Sequence, residues 1–252
     1  MPQAVIATAG TGTLCELFDR TAAECGPRPA LRSADGSSAL TWTEYAARAR
    51  EASAGLAGIG VGPGDTVACW LRSRPELNIA DAGALRLGAV PFSLHESFTV
   101  AQAEHVIADA ASRVLVTEPA FFRSALTVRD GRRTALEMIV LVEGADARAL
   151  TWRELMDCGR ADFDADGAAR AVGPDHLATL IYDPGADGPP TGARLTHRDV
   201  VRLLAPLRDG LALPIGVRAG ARLSMAHFGT RLCTHYLPMA LGWSVTTCAD
   251  AE

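Results

Sequence analysis

Five short apolar runs, separated by segments with helical spacing, constrain the fold of this chain more than any other feature. The runs are Thr66–Leu71, Arg113–Thr117, Met138–Val142, Leu177–Tyr182 and Trp243–Cys248. They are rich in β-branched residues and are apolar at nearly every position, which is typical of strands covered on both faces of a parallel sheet. The alternation of strands and helices predicts an α/β fold: a layered, mostly parallel sheet flanked by helices.

The segments between the strands carry signals for the start of helices. Thr43–Leu56 and Pro75–Leu87 have apolar residues at helical spacing. Three residue pairs have the spacing of a capping box, in which two side chains satisfy free amides at a helix start. The pairs are Thr13 with Glu16, Thr99 with Gln102, and Thr151 with Glu154. We therefore expect helices to begin at these three places.

Two glycine-rich segments read as connections between elements. Gly60–Asp65 (GVGPGD) precedes a predicted strand and lacks the order of a dinucleotide fingerprint, so it predicts a turn. Asp157–Pro174 has little periodicity and predicts an exposed connection. We place a domain boundary here, with a first α/β subdomain at 1–174 and the start of a second at 175–252.

Composition excludes several classes of protein. Hydrophobic residues make up 48% of the chain and charged residues 21%, as in a globular protein. The net charge of −5, with arginines scattered along the chain, gives no reason to expect nucleic acid or an anionic membrane as partner. The sequence has neither a signal peptide pattern nor an apolar run of transmembrane length. Together these features predict a cytoplasmic protein.

Cysteine and histidine spacing gives no sign of a metal site. The six cysteines form no CxxC pair and predict small, buried thiols in a reducing compartment. The six histidines show neither HxxxH nor HxxE spacing, so no zinc site is expected and no metal ligand is assigned.

The stretch Tyr182–Ala193, YDPGADGPPTGA, has the glycines of a phosphate-binding loop. Small residues there allow the backbone to approach a polyanion. The chemistry that holds the anion is missing, because the stretch has no lysine and only one aliphatic hydroxyl, that of Thr191. Asp183 and Asp187 place negative charge where phosphates would lie. The two aspartates have two other interpretations, a solvated turn and a pair of ligands for a Mg²⁺ that bridges to phosphate.

The residues after the loop predict a helix. Thr196 is expected to open a helix that runs through Leu204, with Asp199 at its third position. We therefore expect the order strand, glycine loop, helix, which is a recurrent phosphate-binding arrangement. His197 is expected to fix the helix start through a local hydrogen bond.

This order of residues resembles the signature of the adenylate-forming enzymes, which include acyl-CoA synthetases, luciferases and peptide-synthetase adenylation domains. Their loop reads roughly YTSGTTGxPKGV and is often followed by THRN. The matching positions are Tyr182, Gly185, Gly188, Pro190, Gly192, Thr196, His197 and Arg198. The family's hydroxyl pairs are replaced by Asp183 with Pro184 and by Ala186 with Asp187, and its lysine by Thr191.

The resemblance extends along nearly the whole chain. GAVPFSLHESFTVAQAEHVIADAASRVLVTE, at 88–118, is similar to the opening half of acyl-CoA synthetases. AHFGTRLCTHYLPMALGWSVTTCAD, at 226–250, is similar to the long-chain fatty-acyl branch, with an apparent loss of three residues before His227. The resemblance implies that His227 and Phe228 lie near an acyl pocket, and the alternative is that both are core residues. His235, Tyr236 and Pro238 are interpreted as packing.

In that family ATP, Mg²⁺ and coenzyme A are the cofactors of fatty-acid–CoA ligation. The altered loop predicts that this chain uses none of them and has no catalytic residue of its own. We call Tyr182, Asp183, Gly185, Asp187, Gly188, Pro190, Thr191 and Gly192 a vestigial phosphate loop. Segments that the family carries further along, including its C-terminal domain with a catalytic lysine, have no counterpart here, so we expect a homodimer or a complex with a separate partner chain.

Three hypotheses about function follow from the sequence. The first is a shortened, degenerate relative of long-chain fatty-acyl-CoA synthetases that acts as an acyl or acyl-CoA binding or regulatory module. The second is one half of a split ATP-dependent fatty-acid–CoA ligase. The third is a fragment without present function.

Overall fold

The computed structural model describes residues 12–183, 189–211 and 217–249. The α-helices are α1 Leu14–Cys25, α2 Trp42–Gly58, α3 Pro75–Leu87, α4 Val100–Asp109, α5 Pro119–Asp130, α6 Trp152–Asp157, α7 Ala165–Ala171, α8 His197–Leu211, α9 Phe228–Arg231 and α10 Leu237–Leu241. A π-helical segment, Leu232–Tyr236, joins α9 to α10. The strands are β1 Pro29–Ser33, β2 Ala39–Thr41, β3 Thr66–Trp70, β4 Val90–Ser93, β5 Val114–Thr117, β6 Met138–Leu141, β7 Leu150–Thr151, β8 Leu177–Asp183, β9 Thr191–Thr196, β10 Arg218–Ala221 and β11 Ser244–Thr247.

The central layer is a five-stranded sheet in the order β4-β3-β5-β6-β7, with every pair parallel. Helices α3, α4 and α5 connect its successive strands. Alternate residues of β3 enter different apolar clusters: Ala68 and Trp70 pack in one, Val67 and Cys69 in another. Because side chains alternate across a strand, both faces of the sheet are covered. The expected layered, mostly parallel α/β fold is confirmed.

A second sheet has the order β10-β11-β1-β2, parallel except for the pair β1–β2. Leu31 of β1 lies opposite Val245 of β11, so this sheet joins strands from both sides of residue 174. The division of the chain at 174 stays a prediction.

Local signals for helix starts are confirmed. All three expected capping boxes form, and a fourth joins Thr41 to Glu44 at the start of α2. The turn expected at Gly60–Asp65 is present, with Gly60 at φ +86° and Gly64 at φ +85°, values that favour glycine. These features depend only on neighbouring residues, which explains why the sequence reveals them.

Two expectations about packing are corrected. The segment Asp157–Pro174 contains helix α7, which buries Ala169 and is therefore more than an exposed connection. The strand β8 forms as expected, but it pairs antiparallel with β9 instead of joining the parallel sheet. It lies beside β4, where the Thr179 hydroxyl donates a hydrogen bond of 2.8 Å to the Pro91 carbonyl.

The cysteines differ in exposure more than expected. Cys15, Cys25 and Cys69 are buried thiols, but Cys233 is exposed. Among the helices in the described part of the chain, none combines the length and apolarity needed to cross a membrane.

Candidate functional site

The vestigial phosphate loop joins β8 to β9 in an antiparallel hairpin. Tyr182 lies opposite Gly192, and a Cβ at residue 192 would lie 2.8 Å from the Tyr182 ring, so only glycine fits there without a shift. The Tyr182 hydroxyl donates a hydrogen bond of 2.7 Å to Oδ2 of Asp109 at the end of α4. Burial and then this carboxylate raise the pKa of the Tyr182 phenol, which keeps it a donor.

Only part of the predicted loop lies within the described residues. Gly185, Asp187 and Gly188 fall outside them. Pro190 is buried, and its carbonyl is 3.0 Å from Nε2 of His105. Thr191, the residue at the position of the family's lysine, is exposed and lies directly opposite Asp183 in the hairpin register. In this backbone register, residue 183, an aspartate, pairs with the position where the resemblance expects a cation.

The predicted order strand, loop, helix is wrong. The loop is followed by strand β9, and α8 begins at His197, after that strand. The free amides of α8 therefore stand at the opposite end of β9 from Gly192. The capping interaction itself forms, because the Asp199 amide donates to Thr196 Oγ1 at 3.1 Å and the Thr196 amide to Asp199 Oδ2 at 3.0 Å. The helix continues to Leu211, beyond the expected Leu204.

His197 has a different partner from the one expected. Its ring is fully buried, and Nδ1 accepts a hydrogen bond of 3.1 Å from the amide of Leu14 at the start of α1. The contact is long-range, so the expected local hydrogen bond is wrong. Burial, followed by the nearby His176, lowers the pKa of His197 to about 4.

His227 is exposed and precedes α9, so the interpretation of this residue as a core histidine is wrong. Its Nε2 atom lies 3.0 Å from Nε2 of His95, and the two rings meet edge-on with centroids 4.8 Å apart. Burial and the neighbouring His227 lower the pKa of His95. Phe228 is half-buried as the first residue of α9. No pattern in the sequence indicates a pairing between two histidines so far apart in the chain.

A buried polar cluster, which the sequence did not predict, lies between α3 and the α9–π-helix segment. We call Asp81, Arg231 and His235 the buried cluster; none is more than 2% exposed. Arg231 Nη1 donates to Asp81 Oδ2, and His235 Nε2 lies 2.9 Å from Asp81 Oδ1. The side-chain amide of Asn78 donates to His235 Nδ1 at 2.9 Å, which leaves a proton on Nε2 for Asp81.

The electrostatics of this cluster favour the ion pair. Burial alone would raise the pKa of Asp81, but the charge of Arg231 and the hydrogen bond from His235 lower it. Burial alone would lower the pKa of Arg231, but Asp81 raises it. Burial also raises the pKa of Tyr236, whose hydroxyl lies 3.1 Å from Arg231 Nη1, to about 12. Both charges therefore persist inside the protein.

Sequence reasoning assigned His235 and Tyr236 to packing. Both are buried, but they are also members of a hydrogen-bonded network around Arg231. The available signal was an arginine and a histidine four residues apart in an apolar segment, together with Asp81 inside the apolar pattern of Pro75–Leu87. The π-helix that carries His235 is a rare form, often found at functional sites.

A cleft of about 680 Å³ opens at the carboxyl ends of β3, β5 and β11. Ligands often bind at this edge of an α/β sheet. Arg72, Arg74 and Arg222 line the cleft, and Arg74 is engaged by three carboxylates, at 3.0 Å from Glu118, 2.8 Å from Glu76 and 3.3 Å from Glu143. Glu118 is nearly fully buried and also binds Arg72 at 2.7 Å. Arg72 and Arg74 therefore already have carboxylate partners, which weakens their attraction for an additional anion.

Comparison with known proteins identifies the family. The family model for the AMP-binding enzyme matches residues 18–251. The chain is 35% identical over 201 residues to 4-coumarate–CoA ligase 3 of Oryza sativa subsp. japonica, covering 79% of this chain and 34% of the ligase. It is 31% identical over 186 residues to the long-chain-fatty-acid–CoA ligase FadD15 of Mycobacterium bovis, covering 73% of this chain and 30% of that protein.

Solved structures show the same fold. An anthranilate CoA ligase, AuaEII, in complex with anthranoyl-AMP superposes with a TM-score of 0.83 at 20% identity, covering 100% of this chain and 46% of that one. A long-chain-fatty-acid-CoA ligase from Archaeoglobus fulgidus superposes with a TM-score of 0.82 at 20% identity, covering 95% and 47%. The chain belongs to the AMP-binding enzyme family. It spans about a third of the length of the curated ligases named above.

Proposed function

We propose that this chain binds acyl groups or acyl-CoA and does not form acyl-adenylates by itself. One observation carries the proposal: Thr191 stands at the position of the lysine in the family signature that the loop resembles, and the residue directly opposite it in the hairpin register is an aspartate, Asp183. The loop therefore keeps the glycine backbone of a phosphate site without the groups that bind phosphate.

The expected loss of nucleotide affinity is large. A hydrogen bond to a charged group contributes about 1.5–3 kcal/mol, and each 1.4 kcal/mol corresponds to about a factor of ten in affinity. A carboxylate about 4 Å from a phosphate adds roughly 4 kcal/mol of repulsion at an effective dielectric of 20. Even a fraction of these effects lowers ATP binding by orders of magnitude.

His227 and Phe228 are the proposed acyl contacts. Phe228 offers a half-buried aromatic ring and His227 an exposed imidazole at the start of α9. An apolar surface with a single polar group beside it suits a carboxylic acid or thioester ligand. The names of the related ligases, 4-coumarate–CoA ligase and long-chain-fatty-acid–CoA ligase, support an aromatic or aliphatic carboxylate as the ligand class.

A second candidate is ATP-dependent acid–CoA ligation by a larger assembly to which this chain contributes. It is favoured by the 35% identity to a coumarate ligase over 79% of the chain. The substitutions in the loop count against it, because a partner chain cannot restore the lysine at position 191.

Two measurements on the purified chain separate the candidates. The first is ATP–pyrophosphate exchange with a panel of aromatic and aliphatic acids, and we expect none above background. The second is calorimetry with acyl-CoA and free acid without nucleotide, where we expect binding that is weakened by His227→Ala and by Phe228→Ala. Acid-dependent exchange would refute the proposal, and so would the absence of any acyl ligand binding.

Loop variants test the physical basis of the proposal. Thr191→Lys alone should improve Mg·ATP binding little, because Asp183 and Asp187 still add negative charge to the loop and Asp183 is the register partner of residue 191. Thr191→Lys with Asp183→Thr and Asp187→Thr should improve it by at least an order of magnitude. Thr191→Ser is the matched control, since it keeps a hydroxyl and adds no charge. If Asp183→Thr with Asp187→Thr instead abolishes Mg²⁺-dependent nucleotide binding, the aspartates hold a metal bridge and the proposal fails.

A further inference from the structure

We propose that His95 and His227 form a binding site for a divalent transition-metal ion of the zinc, nickel or copper type. The two imidazoles come from positions 132 residues apart, and their Nε2 atoms converge to 3.0 Å. His95 lies just after the end of β4, and His227 lies at the start of α9. The site goes beyond the proposed acyl-binding function, and either proposal can fail without the other.

The separation of the two nitrogens fits a shared ion. Zinc binds imidazole nitrogen at about 2.0–2.1 Å. Two such ligands lie about 2.9 Å apart at a right angle and about 3.4 Å apart at a tetrahedral angle. The observed 3.0 Å lies within this range, so an ion can enter between the rings with a shift of no more than a few tenths of an ångström.

The protons can be rearranged locally. Without a metal ion, the Ser97 amide donates to His95 Nδ1 at 3.2 Å, which leaves a proton on Nε2 for the contact with His227. With a metal ion, Nε2 must carry its lone pair and the proton moves to Nδ1, so the Ser97 amide must turn away from that atom. The Ser97 hydroxyl oxygen, 2.7 Å from Nδ1, is placed to accept it. This is the outer hydrogen bond that metal-binding histidines usually make.

The pair is held by a rigid framework. Arg231 donates from Nη2 to the Ser93 hydroxyl at 2.8 Å and from Nε to the Met225 carbonyl at 3.2 Å. Ser93 and Met225 each lie two residues before one of the histidines. One buried guanidinium therefore fixes both segments that carry the imidazoles. Preorganised ligands lose less conformational freedom when an ion binds.

The protein supplies two ligands and leaves the other positions open. Within residues 12–183, 189–211 and 217–249, no group of three or more His, Cys, Asp or Glu side chains is placed to hold a metal ion. Imidazole suits zinc, copper and nickel, whereas magnesium and calcium prefer oxygen ligands. Water or a ligand carboxylate would complete the coordination. The expected affinity is that of an accessible, exchangeable site.

Calorimetric titration of the untagged protein with ZnCl₂ tests the site. We expect one equivalent of zinc to bind to the natural protein and to His176→Ala, which removes another exposed histidine. We expect this binding to be lost in His95→Ala, in His227→Ala and in the double variant. Because both rings hold one ion, the double variant should lose no more than either single variant. A parallel titration with MgCl₂ should show no binding.

A second readout does not depend on the stability of the variants. Paramagnetic Ni²⁺ added to the natural protein should broaden the NMR amide signals around both histidines and leave those around His176 sharp. Far-UV circular dichroism verifies that each variant is folded. The proposal is overturned if the natural protein binds no zinc, or if the double variant binds it as the natural protein does. It is also overturned if broadening centres elsewhere.

Discussion

The β8–β9 hairpin and the buried cluster show opposite uses of polar residues in one molecule. Thr191 and Gly192 of the hairpin are exposed and belong to a loop whose sequence resembles a known functional motif. Asp81, Arg231 and His235 are buried, and both Arg231 and His235 interact with Asp81. No sequence motif predicted this cluster. The hairpin residues that match a sequence motif therefore contribute little to tertiary packing. The buried cluster, which matches no motif, holds α3 to the segment that carries His227.

This difference has a physical cause. An exposed polar side chain keeps its hydration, so its replacement changes stability little. A buried charge has lost its hydration and depends entirely on its partner. We expect the loss of stability on substitution to depend on how deeply a residue is buried, and not on whether it belongs to a recognisable motif.

The largest effect is expected for Arg231→Met, which leaves the buried Asp81 without its main partner. Breaking a buried ion pair in this way costs about 3–5 kcal/mol. Urea denaturation monitored by tryptophan fluorescence gives the change in the free energy of unfolding. The control is Arg48→Met, because Arg48 and Glu51 form an exposed pair that contributes about 0–1 kcal/mol. Equal effects of the two variants would break the comparison.

A substitution at His197 tests the effect of a buried residue next to the hairpin, because His197 lies where β9 meets α8. Its pKa is lowered to about 4, so the native state keeps the ring neutral while the unfolded chain binds a proton below its ordinary value of 6.5. The contribution of the neutral His197 ring to the free energy of unfolding is therefore complete above pH 6.5 and is lost as the pH falls toward 4.

The expected loss over that pH window is about 3 kcal/mol, an order-of-magnitude value from the pKa difference. In His197→Asn, Oδ1 keeps an acceptor for the Leu14 amide without the titration. The stability advantage of the natural protein over this variant should shrink as the pH falls from 7 to 4.5, as measured by urea denaturation. A constant difference over that range would contradict the buried, neutral imidazole.

A smaller effect is expected at the base of the hairpin. Tyr182→Phe removes the hydrogen bond to Asp109, which is exposed and can be rehydrated. We expect a loss of about 1 kcal/mol in the free energy of unfolding. Asp109→Ala should have a similar effect, and the double variant should lose less than the sum because the two residues share one interaction. Strict additivity would show that the hydrogen bond contributes nothing.

The smallest effect is expected for Thr191→Ala. The side chain is exposed, so the free energy of unfolding should change by no more than about 0.5 kcal/mol. Thermal denaturation alongside the natural protein is sufficient to measure it. A loss above about 1 kcal/mol would mean that the loop has a structural role, which would remove the contrast with the buried cluster.

The elements that the sequence predicts correctly are those coded by neighbouring residues. Capping boxes at Thr13, Thr99 and Thr151 each depend on a residue three positions further along, and all three form. Strand β8 was found from its apolar run, but its antiparallel partner was missed. An apolar run indicates that a strand is buried and does not indicate which strand lies beside it.

The candidate site divides in the same way. The substitutions at Asp183 and Thr191 can be read directly from the sequence, because the loop aligns without gaps. The 3.0 Å contact between His95 and His227 could not be predicted, since 132 residues separate them and spacing rules detect only local pairs. The exposure of His227 also depends on tertiary packing, which local patterns in the sequence do not show.

The amino-acid sequence by itself determined the alternation of strands and helices, the helix starts and the altered chemistry of the phosphate loop, because each depends on residues close together in the chain. Only the tertiary structure decided that β9 separates the loop from α8, that Asp81 meets Arg231 and His235, and that two histidines converge. Those outcomes depend on which surfaces exclude water together. That is a property of the packed chain, and it cannot be predicted from short-range patterns in the sequence.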